Sequence, residues 1–438
     1  LLRFDRRPAD VVLATSAGDL DAFTAVSEGR AEPFAGPVVA GPGELQANAA
    51  IVFPLAHTAV LRAILPIGEL PTRPGRSGRP ARGRSRRENA PSVAPEDVLP
   101  WPTTVPPAEQ VGRGWSIHAD RGTRWVLPAG RTADLCAQQR RALLLLAGDG
   151  EPAAVPGVHW TPAEMAEIAL ALAFSGYQAE AEALVTAIFD RQSLRGHFGR
   201  DLHGVGATAR ALFAAGTVGA FTDDGDFTER LLAPIAKAGH WLAKKADERG
   251  DATVGGDAGW TGPSLTRAAT FLRLAGQADA ATELDRLAVR HGADADRGWP
   301  LDSSLASIDR MADGAGPVGS WTDVLTGPRF VTAMRQLLVR EIRGASPHPA
   351  VLHLFESFPL PWLGQGVEVY DTPTTFGPCS FAVRWHGDRP ALLWDLRRRG
   401  PDLPVLLRAP AIDPSWSSTE PKGEALLAPI APPAGPPT

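Results

Sequence analysis

The stretch Asp226–Lys244, DFTERLLAPIAKAGHWLAK, decides the fold. Its apolar residues recur at helical spacing, with Trp241 on the core-facing side, and predict a helix over 226–247 with Asp226 as its N-cap. The same periodicity, followed outward, predicts helices over 131–147, 161–175, 178–191, 206–218, 262–275, 279–291, 303–312 and 329–343. Thr161-Pro162-Ala163-Glu164 reads as a capping box: threonine caps, proline suits the first helical position, and glutamate stands at N3. Asp279 reads as another N-cap, and Gly176 and Gly276 as C-terminal stops. Met334, Leu337, Leu338 and Ile342 read as the core face of the last helix.

The connections alternate in length. Long ones fall near 148–160, 191–205, 248–261 and 292–302, short ones near 175–178, 219–225 and 276–278. That alternation is what a series of helical hairpins gives, and it puts the long loops on one face. Three of them carry a tryptophan, Trp160, Trp260 and Trp299, and another carries His197 and Phe198; Trp321 lies in a later Gly-rich stretch. Aromatic rings on loops suit stacking against sugar rings, although they can also close off the end of a core.

The flanks read differently. In residues 1–70, Ala50–Leu55 and Ala59–Leu65 read as two strands of a hairpin, the remnant of an N-terminal β-sandwich. Residues 71–114, rich in Arg, Gly, Ser and Pro, hold too little apolar surface to offset their ordering entropy and read as a disordered linker or insertion. The helical part occupies 115–352. A C-terminal β-rich domain over 353–427 contains the hairpin Ser380–Trp385 and Pro390–Trp394 and a strand at Val405–Arg408; residues 428–438 read as a disordered tail.

Composition narrows the function classes. A formal net charge of -5 argues against nucleic acid or an anionic membrane as the main partner, and no apolar run is long enough to span a bilayer. The two cysteines, Cys136 and Cys379, are too few and too far apart for a disulfide framework or a thiolate metal site. The histidines show no HExxH or HxxxH spacing, so neither a metal nor a cofactor is expected. Heavy use of Ala, Arg, Gly and Pro points to a bacterial source of high GC content. The start, Leu1-Leu2-Arg3-Phe4-Asp5, resembles neither a signal peptide nor an ordinary initiator, so a cytoplasmic protein with an upstream part is expected. The oligomeric state is open.

Two stretches resemble the six-hairpin glycosidases. Asp226–Lys244 is similar to a barrel helix of that superfamily, and His353–Trp394, HLFESFPLPWLGQGVEVYDTPTTFGPCSFAVRWHGDRPALLW, to the junction between barrel and C-terminal β-sandwich. The resemblance covers about 115–410 and implies an α/α toroid, the (α/α)6 six-hairpin barrel, flanked by β-sandwich-like segments. It also implies carbohydrate, an oligo- or polysaccharide, as partner. Where relatives carry an acidic-aromatic cluster, this chain has Arg200-Asp201-Leu202-His203; where they carry an aromatic-Asp-Asp motif, it has Gly256-Asp257-Ala258-Gly259-Trp260; where they open a helix with Arg-Asp, it has Pro162-Ala163-Glu164.

Glycoside hydrolysis needs two carboxylates across the scissile bond, held about 6.5–9.5 Å apart in inverting enzymes. Asp257, Asp201 and Glu164 are the catalytic candidates, although Glu164 doubles as the capping-box partner. Asp302 reads more simply as an N-cap, and Glu368 and Asp371 as strand-end charges. Trp160, Trp260, Trp299, His159 and His197 are the candidate substrate contacts, with His203 beside them. The expected function is inverting hydrolysis of a glycosidic bond at the long-loop face. A glycan-binding or scaffold protein on a degenerate glycosidase fold is the alternative. A helical repeat protein is a third, disfavoured by the uneven helix spacing.

Overall fold

The computed structural model describes short pieces up to residue 64 (3–4, 9–15, 22–30, 32–33, 47–53, 61 and 63–64), then 106–148, 150, 152, 159–199, 203–249, 258–292, 304–314, 325–342, 350–399 and 405–430. The chain divides into two compact units, Leu1–Trp115 and Ser116–Thr438.

In the first unit, β1 (Arg3–Phe4), β2 (Asp10–Thr15), α1 (Ala22–Ser27), β3 (Glu32–Pro33), β4 (Ala47–Val52) and β5 (Ala63–Ile64) are short. The hairpin expected from Ala50–Leu55 and Ala59–Leu65 does not form as read: β4 pairs with β2, and β5 with β1, both antiparallel. Adjacent apolar runs identify strands but not their partners, which are set by registry along the sheet. The helix α2 (Ala108–Asp120) begins inside the stretch read as a linker, and none of its residues is buried. The Arg/Pro-rich part before it, and the tail beyond residue 430, lie outside the described residues.

The second unit is mixed helix and sheet. After β6 (Arg124–Val126) come α3 (Arg131–Leu146), α4 (Pro162–Phe174), α5 (Gln178–Asp190), α6 (His203–Phe221), α7 (Gly225–Arg249), α8 (Thr261–Leu274), α9 (Ala278–Arg290), α10 (Leu305–Gly314) and α11 (Thr326–Leu338). These match the periodicity to within a few residues, with two corrections at the caps. Asp224, not Asp226, caps α7: its Oδ1 accepts from the backbone N of Asp226 at 2.9 Å and of Phe227 at 3.1 Å. Gln277 takes the N-cap position of α9, so Asp279 lies in the first turn. What the described helices establish is two layers: α11, α4, α6 and α8 pack side by side, and α5, α7 and α9 lie against them. The inner helices carry the unbroken burial. Every residue of α4 from Met165 to Phe174 is buried, as the alanine-rich sequence allows where helices approach closely.

Hairpins α4/α5 and α8/α9 repeat one pattern at a constant offset. Trp160-Thr161 and Trp260-Thr261, Leu172 and Leu272, Gly176 and Gly276, and Leu184 and Leu284 occupy matching positions. Both connectors turn through a left-handed glycine, φ 79° at Gly176 and 78° at Gly276. The following backbone N returns to the helix in each, Tyr177 to the Leu172 carbonyl at 2.9 Å and Gln277 to the Leu272 carbonyl at 2.8 Å. This is a Schellman stop.

The helix expected to reach residue 343 ends at Leu338. Val339–Ile342 instead forms β7, pairing antiparallel with β8 (Ala350–Leu354). A β-branched residue at each end and a partner strand outweigh continued helix here. A 3-10 turn (Leu360–Trp362) then leads to β9 (Val367–Thr372), β10 (Cys379–His386), β11 (Arg389–Leu396), β12 (Val405–Ala409), β13 (Asp413–Ser418) and β14 (Lys422–Leu426). The expected hairpin forms as β10/β11, with Phe381 opposite Trp394. The sheets are β14-β11-β10-β9-β6 and β13-β12-β8-β7. Their inner faces meet through aromatic edges: Trp394 on Trp416 at 5.0 Å and Phe381 on Phe355 at 5.1 Å.

Candidate functional site

The candidate site lies where the inner helices begin. Thr161 caps α4 as read, and Glu164 closes the box, its Oε2 accepting from both the backbone N and the hydroxyl of Thr161 at 2.8 Å. That carboxylate is committed to the helix end. One turn further on stands Glu167, a charged residue in an otherwise apolar buried run, its side chain only 6% exposed. Two guanidiniums from other helices meet it. Arg329, in the first turn of α11, donates Nε to Oε2 at 2.6 Å and Nη2 to Oε1 at 3.3 Å; Nε of Arg210, on α6, lies 3.4 Å from Oε1. The Arg210 guanidinium also sits over the Trp260 ring, 5.0 Å from its centroid. The starts of α4, α6, α8 and α11 thus converge on one polar cluster, at the end where the long connections enter.

The candidates fall into three groups. Asp201, Asp257, Trp299, Asp302 and Trp321 lie outside the described residues, as does the His203 side chain. Around the cluster, His159 is exposed, Trp160 is half-buried against the core, and Trp260 is 3% exposed with its edge on Phe213. In this arrangement Trp260 supports Arg210 from behind instead of offering an open face. The third group is engaged with other partners. His197 stacks on Trp241 of α7 at 4.8 Å, so that tryptophan is half-buried in the outer layer, and Phe198 is buried against Phe189. Glu368 and Asp371 belong to β9. The Tyr370 hydroxyl and Arg384 hold the Glu368 carboxyl below the usual range, and Arg397 pairs with Asp371.

Glu167, Arg210 and Arg329 were missed by motif reading. The signal for Glu167 was available: a lone acidic residue inside MAEIALALAF has no solvent face to occupy, so it must have a partner. The two arginines lie on different helices, and nothing local in the sequence ties them to it.

A second charged cluster lies at the far end of α11. Arg335, 1% exposed, donates to the Val339 carbonyl at 2.6 Å, the Pro373 carbonyl at 2.8 Å and Glu341 at 3.1 Å; Arg267 of α8 reaches the other Glu341 oxygen at 3.0 Å. Burial alone would raise the Glu341 carboxyl, but Arg267, Arg335 and the Thr375 hydroxyl overcome it and bring the pKa to about 2. This cluster ties α8 and α11 to the sheets.

Among the described residues no group of three His, Cys, Asp or Glu side chains is placed to hold a metal ion, and no helix is long and apolar enough to cross a membrane. Both cysteines are buried, and burial pushes their thiols up to about 12.

No protein-family model matches the chain, and no curated protein matches it by sequence. Among solved structures it is similar to an alpha-L-rhamnosidase from Dictyoglumus thermophilum, with a TM-score of 0.41 and 9% sequence identity over 66% of this chain. The match spans 45% of that enzyme's chain. The likeness is distant.

Proposed function

We propose that this chain is a glycoside-active protein of the six-hairpin type, working at the end of the inner helices where Glu167, Arg210, Arg329 and Trp260 meet. The observation that carries the reading is that convergence: four helices from separate hairpins bring one polar cluster to the face fed by the long connections. It joins the resemblance of Asp226–Lys244 and His353–Trp394 to that superfamily. The reaction is inverting hydrolysis of a glycosidic bond, with Asp257 and Asp201 as the carboxylate pair; in sequence Asp201 stands two residues before α6, and Asp257 directly before the turn into α8. Glu164 serves as a helix cap, while Trp160, Trp299 and His159 line the approach and Trp260 positions Arg210. No metal or cofactor takes part.

The test is turnover of a panel of aryl glycosides and oligosaccharides by the full chain, with the anomeric configuration of the product read by NMR. Asp257→Asn and Asp201→Asn should each lower kcat by at least about a thousand-fold in folded protein. Full activity in both variants would remove the pair. One observation favours the second reading, a glycan binder without catalysis: the buried carboxylate among the described residues of the cluster, Glu167, is engaged by two guanidiniums on both of its oxygens. Saturable glycan binding without turnover would support that reading.

A further inference from the structure

We infer that Arg210 and Glu167 are positioning residues for the proposed reaction: through the Trp260 ring they fix the turn that Asp257 directly precedes in sequence. This rests on the hydrolytic reading above. It starts from a helix end without a cap of its own. Helices α4 and α8 begin at matching positions, and Thr161 and Glu164 close a capping box on α4, whereas no side chain caps α8. At the place of Glu164 stands Ser264, whose hydroxyl lies 2.7 Å from the Ala209 carbonyl of α6 and 2.6 Å from the Trp260 carbonyl. A helix start with no local cap takes its place from its neighbours. Here the neighbour is α6. Arg210 and Phe213, three residues apart, share one face of that helix. The Arg210 guanidinium covers the Trp260 ring, 5.0 Å from its centroid, and Phe213 meets the ring edge-on at 5.5 Å. Trp260 is the last residue of a 3-10 turn, Ala258–Trp260, so holding the ring holds the turn. Arg210 is fixed from its other side: its Nε lies 3.4 Å from Glu167 Oε1, and Arg329 bonds both oxygens of that carboxylate. The contacts thus run from α11 to α4, α6 and α8 in turn, and every group works through a contact it already makes. Slack anywhere along them would move the turn, and a misplacement of about 1 Å at a reacting group can cost about a hundred-fold in rate.

The test labels the full chain with fluorotryptophan and follows the Trp260 fluorine resonance, assigned with Trp260→Phe, beside kcat and KM for an aryl glycoside that the parent turns over. Arg210→Met should move that resonance and lower kcat by about ten- to a hundred-fold, with KM within about two-fold of the parent. Glu167→Gln, two contacts from the ring, should move the same resonance and lower kcat by less; placed on top of Arg210→Met it should add nothing to either. Arg210→Lys keeps a cation over the ring and should recover part of both. A merely structural role would lower stability without making the effect of Glu167 depend on Arg210. Glu167→Gln leaves Arg210 in place, so its effect on the resonance decides even if Arg210→Met fails to fold. A resonance unmoved by either substitution, or an effect of Glu167→Gln that persists without Arg210, overturns this inference and leaves the hydrolytic reading standing. A raised KM at unchanged kcat in Arg210→Met does the same, because Arg210 would then contact the substrate. No turnover of any glycoside by the parent removes that reading and this role with it.

Discussion

Hairpins α4/α5 and α8/α9 follow one pattern, yet they are used in opposite ways. In the first, the connector is clasped. Thr123 donates its backbone N to the Ser175 carbonyl at 2.8 Å, the Tyr177 hydroxyl reaches the Ala119 carbonyl at 2.8 Å, and an added Cβ at Gly176 would stand 2.6 Å from the Thr123 nitrogen. In the second, none of the described residues comes within 4 Å of that position at Gly276. The inner helices also carry opposite charges at matching positions. Glu167 takes Arg329 at the start of α11, and Arg267 takes Glu341 three residues beyond its end. A repeated backbone therefore fixes where a charge is placed, while its sign and partner depend on the level of α11 it meets.

The comparison can be tested, beginning with the largest expected effect. Glu341→Gln leaves Arg335 and Arg267 facing each other without their shared acid, and should cost about 3–5 kcal/mol by denaturant unfolding. Because the folded pKa of Glu341 is depressed to about 2, its contribution is complete above its ordinary value near 4.5 and is lost as pH falls through about 2. The stability difference between parent and variant should therefore hold above pH 5 and close in strong acid. Gly176→Ala should cost about 3 kcal/mol, combining left-handed strain with a backbone clash, whereas Gly276→Ala carries the strain alone, about 1 kcal/mol. Equal losses would mean that the clasp on the first connector yields. Glu167→Gln should cost about 2 kcal/mol, less than Glu341→Gln because Arg329 is partly exposed. Thr161→Ala should cost about 1 kcal/mol by removing the cap of α4.

Much of the second unit was legible. Helices α3 to α11 follow from apolar spacing, and Thr161, Gly176 and Gly276 act as their local chemistry predicts. The end of α11 was not legible, because Val339–Ile342 is strand only by virtue of β8, and periodicity in one segment carries no information about a partner. The β4 pairing failed for the same reason. At the site, motif reading found Glu164, whose role is written within four residues, and missed the Glu167 cluster, which exists only once α4, α6 and α11 stand together. Trp260 was read as a substrate contact, whereas its face carries Arg210, an arrangement that needs the neighbouring helix.

Cys136 and Cys379 are the only thiols in the chain, and both are sealed in the core with pKa values near 12. At neutral pH the native protein is therefore silent toward thiol-directed reagents. A cysteine introduced at exposed His159 would be the single reactive handle, so a fluorophore or spin label could report ligand arrival at the mouth without first removing any native residue.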